Sequence, residues 1–146
     1  MSLQYHLIHG HVGPHPVFNN SRIADFLFTH LDEFGDKRED IMKCLDYVFN
    51  PARGGRVLLA VENDEIVGAV VINNTGMSGY IPENILVYIA VHQSQRGKGV
   101  GKELMKRAID SSPGNIALHV EPENPAVHLY RKIGFTSKYL EMRYQK

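Results

Sequence analysis

The stretch "ILVYIAVHQSQRGKGVGKELMKRAI" (Ile85–Ile109) decides how the rest of the chain reads. Ile85 to Val91 is apolar throughout, which predicts a strand with both faces buried in a sheet. Three glycines then fall within five residues, at Gly97, Gly99 and Gly101, with Arg96, Lys98 and Lys102 threaded among them. A helical run follows at once, with Val100, Leu104, Ala108 and Ile109 as its apolar stripe. A buried strand, a glycine turn and a helix N-terminus together form a general anion trap. Backbone N–H groups point outward and the helix dipole favours negative charge. The dipole alone contributes only ~0.3–1 kcal/mol at an exposed site, so the loop's donors and cations must supply the rest.

Two familiar phosphate cradles do not fit. A P-loop needs G-x-x-x-x-G-K-[ST]; Gly101-Lys102 supplies its second half, but Arg96 stands at the first glycine and Glu103 at the Ser/Thr. A dinucleotide fingerprint needs G-x-G-x-x-G; Gly97 and Gly99 fit, but Lys102 occupies the last glycine. What fits is R-x-x-G-x-G, as Arg96, Gly99 and Gly101.

Working outward, "QYHLIH" (Gln4–His9) has strand character, with Tyr5 and Leu7 on one face. "SRIADFLFTHL" places Ile23, Phe26, Leu27, His30 and Leu31 at helical spacing. Asp36 reads as the N-cap of a second helix, with Glu39 as its capping-box partner and Ile41, Cys44, Leu45, Val48 and Phe49 as the stripe. "RVLLAVENDEIVGAVVI" reads as two strands joined tightly at Asn63-Asp64. After the quoted stretch, "NIALHV" alternates as a strand. In "ENPAVHLYRKIGF", Asn124 suits an N-cap, Pro125 the first helical position and Gly134 the C′ position. "YLEMRY" predicts a closing strand. The whole is a mixed α/β chain with no linker, repeat or low-complexity segment.

Bulk properties narrow the function classes. A chain of 146 residues fits one domain, 1–146. Formal net charge is zero, so nothing in bulk points to nucleic acid or an anionic membrane. The single Cys44 excludes an internal disulfide and sits on an apolar helix face, which predicts core. No apolar run approaches the ~20 residues of a membrane span, and no secretory segment opens the chain. A cytoplasmic domain is expected. His6, His9, His11 and His15 cluster in sequence, but their spacing fits no metal-ligand pair, so no metal is expected.

Arg96-x-x-Gly99-x-Gly101 between an apolar strand and a helix, followed by "LHVEPENPAVHLYRKIGF", resembles the GNAT (GCN5-related N-acetyltransferase) family from about Ile85 to Phe135. The resemblance implies an acyl-CoA N-acyltransferase fold: a mostly antiparallel central sheet of about six to seven strands with about four helices. It implies acetyl-CoA as donor and a primary amine as acceptor, attacking directly in a ternary complex. Gly97, Lys98, Gly99, Val100, Gly101 and Lys102, with Arg96, would hold the pyrophosphate. The backbone of Ile89, Ala90 and Val91 would pair with the pantetheine arm, and Asn124 would contact the coenzyme. The family's strand carries a bulge, which is not visible in this sequence. Tyr130 stands where the family places its general acid, and a phenol is protonated at neutral pH. For the proton acceptor, Glu83 is the nearest match; His119, Glu121 and water are the alternatives. The implied partners are acetyl-CoA and an amine-bearing small molecule or peptide, with a homodimer as the oligomer considered. A non-catalytic acyl-CoA-binding or regulatory module is the rival reading. The acceptor itself is not legible.

Overall fold

The computed structural model describes residues 2–146. Five strands form one sheet in the order β1 (Gln4–His9), β2 (Gly55–Glu62), β3 (Glu65–Asn74), β4 (Asn84–Val91), β5 (Ile116–Leu118). The first four pair antiparallel and β5 joins β4 in parallel. Helices α1 (Asn20–His30) and α2 (Arg38–Val48) cover one face; α3 (Val100–Ser111) and α4 (Ala126–Ile133) cover the other. Strand alternation sorts the core accordingly. Val57, Leu59, Ala69 and Val71 pack toward α1 and α2, while Leu58, Ala60, Val70 and Ile72 pack toward α3 and α4.

Local chemistry accounts for several elements. The β2–β3 hairpin closes at Asn63-Asp64, both with positive φ (53° and 62°), the conformation that a tight two-residue turn demands. The N-cap of the last helix is Pro125, one residue later than expected, while Asn124 Oδ1 accepts from the Ala126 N–H at 2.9 Å just ahead of the first turn. Gly134 ends that helix at φ 121°, with the Phe135 N–H returning to the Tyr130 carbonyl.

Other expectations need correction. The sheet has five strands rather than six to seven. "YLEMRY" forms none, because nothing pairs with it: Tyr139, Leu140, Met142 and Tyr144 all stay exposed. "NIALHV" is a strand only over Ile116–Leu118. On β1 the buried residue is Ile8, and Leu7 faces outward. On α3 fully buried Met105 takes the core position assigned to Ile109. Asp36 is not the cap of α2, whose N-cap is Lys37 with no side-chain hydrogen bond. Asp36 is drawn instead to the sheet, where it accepts from the Tyr88 hydroxyl at 2.5 Å.

Candidate functional site

The site begins where two strands part. β4 pairs with β5 only from Asn84 to Leu86. At the same point its register against β3 slips: Val71 faces Tyr88 and Ile72 faces Leu86, which leaves Val87 as a bulge. Beyond it, the β5 side of β4 has no neighbouring strand. The His92 N–H bonds the Val67 carbonyl on the β3 side. Alternation along the strand therefore turns the amides of Ile89 and Val91 toward the open side. The Ala90 amide faces β3, so of the three expected backbone contacts only two are free to meet a ligand.

A cleft of about 480 Å³ follows this open edge. One wall comes from the segment after α1, including Asp32, Phe34 and Asp36. The opposite wall comes from His119 and Val120 after β5 and from Asn124, Leu129 and Tyr130. Gly101 lines it too, where a Cβ would already touch Leu129 and Val91. Tyr130 is 7% exposed, its hydroxyl has no hydrogen-bond partner among the described residues, and burial pushes its phenol up to about 12. A phenol so shifted is a proton donor throughout the neutral range.

The glycine turn sits at the end of β4. Gly97 and Gly99 take φ values of 79° and 83°, open to glycine at little cost. No protein acceptor takes the N–H of Gly97 or Gly99 among the described residues. Those of Val100, Gly101 and Lys102 lie in the unbonded first turn of α3. The Lys98 amide, by contrast, is spent on the Gln95 carbonyl. The side chains of Lys98 and Lys102 have no carboxylate within 4.0 Å among the described residues. Such a row of free donors beside two unpaired cations fits a pyrophosphate.

Arg96 does a different job in this state. Its Nε donates to the Val91 carbonyl (3.1 Å) and its Nη2 meets Asp32 Oδ2 at 3.0 Å, tying the end of β4 to the segment after α1. Beside it the rings of His30 and His92 lie 4.6 Å apart, tilted by 45°. Burial, with help from His92 and Arg96, lowers the His30 pKa.

Glu83 lies outside the cleft. Its carboxylate accepts from the backbone N–H of Asn115 (2.8 Å) and of Gly79 (3.3 Å), bonds that hold it below the ordinary carboxylate range. It braces the loop before β4 against the start of β5. Glu121 does not line the cleft either, whereas His119 does.

Sequence reasoning missed two arrangements. Buried Arg56 donates to Asn84 (3.0 Å), Ser112 (2.9 Å) and Asn74 (2.8 Å), and burial lowers its pKa. Asn84 in turn donates to the carbonyls of Pro113 and Asn115. This network pins the closed end of the β4–β5 fork. Its signal was a charged residue leading the otherwise apolar β2. The second is the Asp36–Tyr88 pair on the cleft wall, for which the sequence carried no signal.

A family model described as an acetyltransferase (GNAT) domain matches residues 53–137. The chain belongs to the GNAT family. Like other GNAT enzymes it is an acetyl-CoA-dependent N-acetyltransferase. A spermidine N(1)-acetyltransferase of Vibrio cholerae is 28% identical over 130 residues, covering 85% of this chain and 72% of that protein. The aminoglycoside N-acetyltransferase AAC(6')-Iy in complex with CoA superposes with a TM-score of 0.71 at 14% identity, over 100% of this chain and 97% of that one. A ribosomal-protein-alanine N-acetyltransferase from Brucella melitensis biovar Abortus 2308 does so at 0.64 and 19%, over 99% and 100%. At such identities the solved structures share the fold alone. The names of these three proteins cover three unlike acceptors, so the GNAT fold leaves the acceptor open.

Proposed function

We propose that this single domain, residues 1–146, acetylates a primary amine in the cytoplasm by direct attack on acetyl-CoA in a ternary complex. The observation that carries the reading is Tyr130: a buried phenol with no hydrogen-bond partner among the described residues, lining the cleft at the opened edge of β4. The amides of Gly97, Gly99, Val100, Gly101 and Lys102, with the Lys98 and Lys102 ammoniums, would hold the pyrophosphate. The Ile89 and Val91 amides would take the pantetheine arm and polarise the thioester carbonyl. Asn124 would hold the first turn of α4, and so Tyr130, against the coenzyme.

The chemistry then balances. The ammonium loses one proton and its nitrogen attacks the thioester carbon. The C–N bond forms as the C–S bond breaks. Tyr130 protonates the departing thiolate and is restored by the second proton leaving nitrogen. His119, whose side chain lines the cleft, would receive the first. Glu83 would act only by bracing the loop before β4.

The test is an amine panel with acetyl-CoA, read by free thiol release, alongside a melting experiment. Buried Cys44, whose thiol is pushed up to about 12, will contribute little background. Acetyl-CoA should raise Tm, and at least one amine should release thiol. No shift at millimolar acetyl-CoA would sink the reading. A shift without thiol release from any amine would favour the non-catalytic module.

A further inference from the structure

Of the charged side chains that line the cleft, Asp32, Asp36, Arg96 and Arg143, one has no ion pair among the described residues. Asp32 is paired with Arg96 at 3.0 Å, and Arg143 with Glu141 at 2.5 Å. Asp36 stands apart. Its hydrogen-bond partner is the Tyr88 hydroxyl, a neutral group, and no Lys, Arg or His nitrogen lies within 4.0 Å of it among the described residues. Tyr88 is 7% exposed, and burial together with the Asp36 charge drives its pKa far up, so it remains a neutral donor. The pair therefore places a carboxylate without an ion partner on the cleft that Tyr130 also lines.

A GNAT acceptor must shed the charge on the nitrogen that reacts. A carboxylate without an ion partner in the cleft is thus complementary to a second cation on the same molecule. We propose that the acceptor is a small diamine or polyamine, whose non-reacting ammonium is held by the Asp36 carboxylate while its other amine reaches the thioester. Tyr88 is a positioning residue: its hydroxyl fixes the carboxylate and leaves the second oxygen for the ammonium. Phe34, also on this wall, offers apolar surface to the methylenes between two amines. This inference rests on the acetyltransferase reading and names the substrate class for it.

The experiment compares kcat/KM for a series of α,ω-diaminoalkanes, two to six carbons long, with the n-alkylamines of equal length. The expected result is a preference for the diamine of about tenfold or more at one length, falling as salt screens the charge. Asp36→Asn keeps an acceptor for Tyr88 but removes the charge, and should collapse the diamine-to-monoamine ratio toward one. Tyr88→Phe leaves the charge but frees it, and should lower the ratio by a smaller factor. The acetyl-CoA-induced rise in Tm, measured on each variant, confirms folding and cofactor binding. Equal rates for diamines and monoamines, or an Asp36→Asn enzyme with an unchanged ratio, would overturn the proposal and leave the acetyltransferase reading intact. Loss of the Tm shift and of all thiol release in the unmodified enzyme would overturn both.

Discussion

The two halves of β4 have opposite fates. From Asn84 to Leu86 the strand is paired on both edges and its end is locked by Arg56, Asn84 and Ser112. From Tyr88 to Val91, past the Val87 bulge, it is paired on one edge only, and the other lines the cleft. Apart from Asn84 and the Tyr88 hydroxyl both halves are apolar, and eight consecutive residues span them. What separates them is partners. The closed half satisfies its backbone groups inside the protein. The open half leaves donors for a ligand, which is tolerable only because the cleft is open to water. A site of this kind needs the closed half to be rigid, since the fork angle sets the width of the cleft.

Arg56→Met should break the closed half. It strands Asn84, Asn74 and Ser112 without their shared donor, at a cost on the order of 2–4 kcal/mol by urea unfolding. Activity should fall by more than the folded fraction, because the fork that sets the cleft loses its lock. A normal unfolding midpoint would mean that the fork is held by strand pairing alone.

Tyr130→Phe should break the open half and spare the fold. Turnover should drop by ~10²-fold with acetyl-CoA affinity retained. Because burial raises the Tyr130 pKa, the stability it contributes is intact below the unfolded value near ~10 and is lost as pH rises through about 12. The variant should therefore lose less stability than the parent between those two pH values. Identical alkaline melting curves would contradict that. Unchanged turnover would return Tyr130 to a packing role.

Gly99→Glu should weaken acetyl-CoA by roughly tenfold or more, since a carboxylate would stand against the phosphates at a helix N-terminus. Gly99→Ala separates the causes: it carries the strain of a positive φ, costing ~1 kcal/mol of stability, without the charge. Equal affinity losses for both would assign the effect to loop conformation.

The smallest change is expected at Glu83, which belongs to the closed half. Glu83→Gln should leave kcat within about threefold, a change characteristic of a brace and not of a proton acceptor. Its depressed pKa means that its stabilising contribution is present above the unfolded carboxylate value and fades as pH falls. The variant should thus resemble the parent more closely in acid. A ~10²-fold loss of kcat would restore Glu83 as the base.

The sequence by itself determined whatever is local. The Asn63-Asp64 turn, the Asn124 hydrogen bond before α4, the Gly134 stop, and the strand–glycine turn–helix unit depend on the conformational preferences of a few adjacent residues. They were legible for that reason, and so was the donor. Tertiary structure decided the rest. The Val87 bulge exists only relative to β3. "YLEMRY" alternates like a strand but meets no edge. Arg56 and Ser112 lie 56 positions apart, and Asp36 and Tyr88 lie 52 apart. Asp36 looked like a helix cap because its neighbours suit one. It became part of the cleft wall because the turn after α1 carries it onto β4, where a buried phenol needs an acceptor more than an exposed helix end does.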